Sequence, residues 1–159
     1  MILMGSQSDA PIMQWAVDIL KELGISVEMT VASAHRSPER VQRLIAEAGT
    51  RGVQVFIVGA GAAAHLAGVV AAHVTKPVIG VPIDSSALNG LDALLSTVQM
   101  PPGVPVATVA IGKPGAVNAG VLAAQILALA DSALADRLDA YKQRLAEGVE
   151  KAAKQLEQS

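Results

Sequence analysis

Two kinds of apolar segment alternate along this chain. Short runs in which nearly every residue is apolar predict β-strands at residues 2–4, 25–32, 53–58, 77–81 and 104–111. Longer stretches with apolar residues at helical spacing predict helices at residues 11–23, 38–48, 62–73, 90–98, 115–130 and 132–156. Gly24 follows the first helix as a C-cap, and Ser37-Pro38 suits the N-cap and first position of the second.

This alternation is typical of a parallel sheet with helices on both faces. The predicted strands at 53–58 and 77–81 are apolar almost without interruption, as expected for a sheet covered on both sides. We therefore predict an α/β fold, a flavodoxin-like three-layer sandwich with a central parallel five-stranded sheet and an extra C-terminal helix. Residues 1–130 form the flavodoxin-like domain, and residues 131–159 form the extra helix.

Composition narrows the possible classes of function. The 159 residues include no cysteine, which excludes disulfides, thiolate metal sites and thiol nucleophiles. Twelve basic against fourteen acidic residues, with three aromatic side chains, give neither a basic field nor a stacking platform for nucleic acid. The apolar stretch at residues 1–4 is too short for a signal peptide, so we expect a cytoplasmic protein.

Residues 52–75 contain no Asp, Glu, Lys or Arg, and the segment is long enough to cross a bilayer. However, Gly59 and Gly61 interrupt it, its first part is rich in β-branched residues and its second part is rich in alanine. A strand, a glycine turn and a helix explain this order better than a membrane span. We therefore expect no membrane partner.

Charge is distributed unevenly. Between residues 52 and 130 the charged side chains are Lys76, Asp84, Asp92 and Lys113, whereas residues 131–159 carry eleven. Helices that lack a polar face must be buried on all sides. Burial against other copies of the chain achieves this, so we expect a homo-oligomer with large apolar interfaces.

The first candidate for chemistry is the pair His35-Arg36, which follows a predicted strand and precedes a predicted helix. In open α/β sheets, ligands bind at the carboxyl ends of the strands. Imidazole can exchange a proton near neutral pH, and a guanidinium can hold a phosphate or carboxylate through two parallel hydrogen bonds. A solvated loop histidine beside a surface cation is the alternative interpretation.

The second candidate is the segment Gly5-Ser6-Gln7-Ser8-Asp9, between the first strand and the first helix. Backbone N–H groups at a helix start attract anions. Ser8 or Asp9 also suits a simple N-cap. Because a carboxylate repels phosphate, we expect Asp9 to bind sugar hydroxyls, with a phosphate nearby on Arg36 and the serines.

The third candidate, residues 59–66, matches the dinucleotide pattern G-x-G-x-x-A, with Asp84 downstream as a ribose acceptor. The match follows the third strand rather than the first, and the chain has no room for a second, substrate-holding domain. A small-residue loop that lets a ligand ring approach the backbone is the better interpretation. His65 is either a ligand contact or a structural group, and His73 suits the helix C-terminal dipole.

Other chemistries are excluded by the sequence. Ala107 occupies the position where a phosphate-binding P-loop ending at Gly112-Lys113 requires glycine. A phosphorylated receiver domain needs an aspartate at the end of the third strand, where Gly59 stands. Three dispersed histidines without cysteine predict no metal site.

The loops, taken in order, resemble the class I N5-carboxyaminoimidazole ribonucleotide mutase family of purine biosynthesis, the phosphoribosylaminoimidazole carboxylase catalytic subunit family. The resemblance covers roughly residues 1 to 130. Its motifs are Gly5-Ser6-Gln7-Ser8-Asp9, Ser33-Ala34-His35-Arg36, Gly59-Ala60-Gly61, Ala63-Ala64-His65-Leu66, Gly80-Val81-Pro82, Leu88-Asn89-Gly90-Leu91-Asp92, Ser96-Thr97-Val98-Gln99-Met100-Pro101, Ala110-Ile111-Gly112-Lys113, Asn118-Ala119 and Leu122-Ala123-Ala124-Gln125-Ile126-Leu127.

The resemblance implies an octamer in which the helix at 131–159 packs on a neighbouring subunit, and an intramolecular carboxyl transfer without cofactor or metal. The carboxylate leaves N5 of the substrate as CO₂, is retained, and is added to C4 of the same aminoimidazole ribonucleotide. His35 matches the proton carrier. The substrate-binding positions of the family match Ser6, Ser8, Asp9, Ser33, Arg36, Gly61 and His65.

Three other functions are weighed against this one. A sister group carboxylates aminoimidazole ribonucleotide directly with CO₂, but Arg36 and the run at 64–66 favour the mutase. A dinucleotide-dependent oxidoreductase and a non-catalytic nucleotide-binding assembly are the alternatives from other classes. The third loop departs from the family at Ala62, where glycine is usual, and this adds a methyl group beside the expected pocket.

Overall fold

The computed structural model describes residues 1–158; Ser159, the last residue of the predicted helix at 131–159, lies outside the described residues. The strands are β1 (Ile2–Met4), β2 (Met29–Val31), β3 (Phe56–Gly61), β4 (Val78–Ile83) and β5 (Ala107–Thr108). The helices are α1 (Ala10–Glu22), α2 (Pro38–Thr50), α3 (Leu66–His73), α4 (Leu91–Val98), α5 (Gly112–Ala128) and α6 (Ser132–Glu157). A short 3-10 turn, Gln7–Asp9, joins β1 to α1.

The five strands form one parallel sheet in the order β2-β1-β3-β4-β5. β1 is an interior strand, in which Ile2 aligns with Met29 of β2 on one side and with Ile57 of β3 on the other. The strand order reverses between β1 and β3, which is the position where ligands bind in doubly wound folds. The predicted α/β, flavodoxin-like architecture is confirmed.

Neighbouring residues of each strand point to opposite faces of the sheet, and both faces are buried. Leu3 and Val58 pack among residues of α2, α3 and α4. Ile2 and Ile57 pack on the other side, against α1 and α5. The three layers therefore fix the relative positions of all the strand ends.

The first half of α6 lies on its own domain. Leu134 is buried against α5, and the Arg137 Nε donates a hydrogen bond of 2.8 Å to the Leu23 carbonyl at the end of α1. The second half of α6 leaves Leu145, Val149 and Leu156 exposed. Within residues 1–158, no helix combines the length and the apolar composition that crossing a bilayer requires.

The ends of several elements differ from the prediction. β3 continues through Gly61, because Ala60 and Gly61 still pair with β4. α3 begins at Leu66 rather than at residue 62, since Ala62 adopts a left-handed conformation with φ +51° that no right-handed helix contains. α5 begins at Gly112 rather than at residue 115, and Pro114 fits its first turn because the N–H groups there have no partner within the helix.

Candidate active site

The loop after β1 is folded by its own side chains. Ser6 caps the 3-10 turn: its hydroxyl accepts hydrogen bonds from the Ser8 N–H at 3.4 Å and the Ser8 hydroxyl at 3.0 Å. The Asp9 Oδ2 accepts a hydrogen bond of 3.0 Å from the Ser6 N–H. Ser6, rather than Ser8 or Asp9, is therefore the residue whose side chain caps this segment.

Asp9 is a buried carboxyl, 4% exposed, at the bottom of this loop. Burial raises the pKa of Asp9 above its ordinary value of 3.8, because the charged form loses its hydration. The Ser6 N–H, the Ser8 hydroxyl and the charge of Arg36 lower the pKa and offset part of this effect. The carboxylate is held in one orientation and can accept hydrogen bonds from a ligand.

Arg36 joins the loop after β1 to the loop after β2. Its Nη2 donates a hydrogen bond of 2.9 Å to the Gly5 carbonyl, and its Nε donates one of 3.3 Å to the Ser33 hydroxyl. The Arg36 N–H also bonds to the Ser33 hydroxyl at 3.2 Å. These bonds use two of the five N–H donors of the guanidinium, which is exposed and directed by them toward the cavity rim.

The two histidines expected at the site are in direct contact. The His35 Nε2 lies 2.7 Å from the His65 Nδ1, and the ring centroids are 4.8 Å apart with an interplanar angle of 81°. His35 lies in the loop after β2, and His65 immediately precedes α3, whose Val69 N–H bonds to the His65 carbonyl at 3.0 Å. Sequence reasoning places both residues at the site without predicting this hydrogen bond.

Gly61 ends β3 where there is no room for a side chain. A Cβ at this position would overlap the Ser85 hydroxyl and would lie 3.2 Å from the Ile83 carbonyl. The next residue, Ala62, is exposed, so the methyl group at this departure from the family pattern points into solvent-accessible space. Its φ of +51° is a conformation in which a non-glycine residue is strained.

All eight residues singled out from the sequence line one cavity of about 300 Å³ at the carboxyl edge of the sheet: Ser6, Ser8, Asp9, Ser33, His35, Arg36, Gly61 and His65. Its titratable side chains are Asp9, His35, Arg36 and His65. His73 is not among the lining residues, and its Nδ1 lies 2.8 Å from the Val69 carbonyl of its own helix.

Ser85 also lines the cavity, and sequence reasoning missed it. It follows β4 directly, so the rule that selected the other three loops, position at the carboxyl end of a parallel strand, would also have selected this one. Among residues 1–158, no three His, Cys, Asp or Glu side chains are grouped so that they could hold a metal ion.

Comparison with known proteins gives a consistent result. The family model described as AIR carboxylase matches residues 1–148. The N5-carboxyaminoimidazole ribonucleotide mutase of Bacillus subtilis is 54% identical over 155 residues, covering 98% of this chain and 96% of the relative. The mutase of Thermotoga maritima is 52% identical over 157 residues, covering 99% of this chain and 91% of the relative.

A solved structure shares the fold. The crystal structure of Treponema denticola PurE superimposes with a TM-score of 0.86 at 30% identity, covering 98% of this chain and 96% of that one. The parallel fold, the cavity lined by the four strand-end loops and the near full-length matches all point to the same family. This chain belongs to the AIR carboxylase family.

Proposed function

We propose that this protein is an isomerase of purine biosynthesis that converts N5-carboxyaminoimidazole ribonucleotide to 4-carboxy-5-aminoimidazole ribonucleotide. The observation that carries this conclusion is the match over nearly the whole chain to relatives named for the mutase reaction, at 54% and 52% identity. Direct carboxylation of aminoimidazole ribonucleotide by CO₂ is not favoured, because these relatives carry the mutase name.

The charged groups of the cavity suit the two ends of such a substrate. We assign the phosphate to Arg36 with Ser6, Ser8 and Ser33, because the guanidinium and the hydroxyls all offer hydrogen-bond donors to an anion. We assign the ribose hydroxyls to Asp9, whose carboxylate accepts hydrogen bonds and would repel a phosphate. This arrangement is supported by the hydrogen bond from Arg36 to the Gly5 carbonyl, which connects the loop after β2 to the loop after β1.

The base would then lie beside Gly61 and His65, with His35 as the proton carrier. When the carboxylate leaves N5 as CO₂, the nitrogen takes up a proton. When C4 attacks the CO₂, C4 must lose one. A single imidazole can donate the first proton and accept the second, so His35 returns to its starting state and the reaction needs no external acid or base.

We also propose that the protein is cytoplasmic and assembles as a homo-octamer, with the segment at 131–159 packing on a neighbouring subunit. Support comes from the distal half of α6, where Leu145, Val149 and Leu156 remain exposed on the single chain. Exposed leucine and valine at this spacing favour a partner surface. Mass measurement by light scattering tests the assembly, and a monomer at micromolar concentration would contradict it.

One assay tests the proposed reaction. The protein is incubated with the N5-carboxylated ribonucleotide in the absence of ATP, metal and added bicarbonate, and the C4-carboxylated product is measured. Product formation is expected with the wild type, and a strongly reduced rate is expected with His35→Asn. Product that appears only with bicarbonate and unmodified aminoimidazole ribonucleotide would assign the protein to direct carboxylation. Ligand binding without any product would indicate a nucleotide-binding assembly.

A further inference from the structure

The hydrogen bond between His35 and His65 restricts the protonation of both rings in a way that neither residue would show alone. The two side chains come from loops after different strands, and their ring nitrogens approach to 2.7 Å. Both residues are exposed, so burial alone does not force them together. A contact this short between two imidazoles requires a proton on one of the facing nitrogens and a lone pair on the other.

This requirement restricts the charge of the pair. Two neutral rings share one proton between the His35 Nε2 and the His65 Nδ1, and a singly charged pair can do the same. A doubly charged pair would place two N–H groups face to face and would break the hydrogen bond. While the contact lasts, the pair therefore holds at most one positive charge.

The same contact couples the tautomer of the proton carrier to that of His65. If the His65 Nδ1 donates, the His35 Nε2 has its lone pair engaged and the His35 proton lies on Nδ1. If the His65 Nδ1 accepts, the His35 proton lies on Nε2. In either case the protonated nitrogen of His35 is fixed once the direction of this hydrogen bond is fixed, so the tautomers of the two rings are coupled.

We infer that His65 is a positioning residue for His35, which holds its ring, couples the tautomer of His35 to its own and limits the two imidazoles to one shared proton. This inference rests on the proposed function for its kinetic consequences, but not for the hydrogen bond itself. The other charged groups that line the cavity are Arg36, next to His35 in the chain, and Asp9. The side chains of Arg36 and Asp9 form their hydrogen bonds within the loops after β1 and β2 and not to an imidazole of the pair.

The test uses two variants of His65. In His65→Asn the amide group lies near the position of Nδ1 and can donate or accept a hydrogen bond, but it cannot become charged. In His65→Leu the hydrogen bond is lost altogether. Because His65 is exposed, both variants are expected to fold, and thermal unfolding checks this.

The first measurement is independent of activity. Nitrogen-15 NMR of the ligand-free protein reports which His35 nitrogen carries the proton. The tautomer populations of His35 are expected to differ between the wild type and His65→Leu, because the leucine variant removes the hydrogen bond that couples the two rings. Identical His35 spectra in the wild type and His65→Leu would overturn the inference, whether or not the protein catalyses the proposed reaction.

The second measurement is kinetic. His65→Leu is expected to lower kcat by about tenfold to a hundredfold, part of the range that general acid–base catalysis supplies, with a smaller change in KM. His65→Asn is expected to recover most of kcat and to change the pH profile of kcat/KM, since only one titrating ring remains. A change in KM alone, equal in both variants, would make His65 a simple substrate contact and would refute the positioning role. Inactivity of the wild type would refute the proposed function and leave the NMR result to decide the inference.

Discussion

The two edges of the sheet carry cavities of different chemistry. At the amino edge, residues that precede β1, β2 and β3 line a groove of about 500 Å³, whose charged side chains, Glu28 and Arg51, neutralise each other at 2.7 Å. At the carboxyl edge, the cavity is about 300 Å³ and contains a carboxyl, a guanidinium and two imidazoles. The groove at the amino edge contains a carboxylate and a guanidinium but no imidazole, so volume alone does not identify the site in this fold.

The difference follows from the direction of the strands. In a parallel sheet every strand ends at the same edge, and the helix that follows begins there with free backbone N–H groups. Loops at this edge can therefore surround an anion, whereas loops at the amino edge follow helix C-termini. Substitutions at the two edges should thus differ in kind, with changes in chemistry at one and small changes in stability at the other.

The largest effect is expected from His35→Asn at the carboxyl edge. Loss of the proton carrier should lower kcat by about 10² to 10⁴-fold, the range of general acid–base catalysis. Product affinity should stay within about tenfold, because Arg36 and Asp9 are assigned to the nucleotide. Turnover assays and calorimetric titration with the product measure the two quantities. Undiminished turnover would remove His35 from the mechanism.

Arg36→Met should act on binding rather than on chemistry. Hydrogen bonds to a charged group contribute about 1.5–3 kcal/mol, so KM is expected to rise by about tenfold to a hundredfold. Arg36→Lys should fall between the two, since an ammonium keeps the charge without the planar fork of donors. Steady-state kinetics with the ribonucleotide provides the measurement.

The matched control is Arg51→Met at the amino edge. The Arg51 and Glu28 side chains are 38% and 56% exposed, and such ion pairs contribute about 0–1 kcal/mol to stability. We expect unchanged kinetics and a correspondingly small change in the free energy of unfolding. If Arg51→Met raised KM as much as Arg36→Met, the contrast between the edges would be wrong.

Gly61→Ala should destabilise the protein by about 1–3 kcal/mol, the usual cost of overpacking, because the new Cβ overlaps the Ser85 hydroxyl. Urea unfolding measures this loss. Ser85→Ala in the same chain removes the overlapping oxygen and should recover part of the loss, although the Ser85 Cβ and the Ile83 carbonyl remain 3.1 Å and 3.2 Å away. No recovery in the double variant would place the clash elsewhere.

Asp9→Asn should change stability with a defined dependence on pH. Because burial raises the pKa of Asp9, the folded protein binds this proton more tightly than the unfolded chain does. The stability that Asp9 contributes is therefore highest at acid pH and is lost as pH rises from 3.8 through the raised pKa. The asparagine variant should gain stability relative to the wild type over that interval, while nucleotide binding weakens. A constant difference at all pH values would contradict this.

Much of the fold could be predicted because runs of apolar residues indicate buried segments. The same signal overestimated β2 and β5. Ile25 and Val27 pack against the core outside β2, and Val109 lies beyond the end of β5 although its N–H donates a hydrogen bond of 3.1 Å to the Gly80 carbonyl of β4. The apolar pattern indicates which residues are buried. Which of them pair with the neighbouring strand depends on where that strand ends. The boundaries of edge strands therefore could not be obtained from the pattern alone.

The candidate site was predictable to the level of loops and not to the level of contacts. The carboxyl-end rule places the loops of His35, Arg36 and Asp9 at one edge, because it depends only on strand direction. The contact between His35 and His65 depends on the turn at Ala62. The left-handed conformation of this residue could not be predicted from the sequence, because alanine rarely adopts it. Tertiary geometry of this kind is decided by packing around the loop rather than by the loop sequence.

The interior position of β1 has a consequence for how the protein is made. Both neighbours of β1 follow it in the chain, so a ribosome releases this strand before either of the strands that pair with it exists. The apolar strand Ile2–Met4 can pair with strands on both sides only after the chain has been synthesised through residue 61, the end of β3. Nascent chains shorter than this should expose an unpaired, aggregation-prone strand, which makes the early part of translation the period of greatest need for a chaperone.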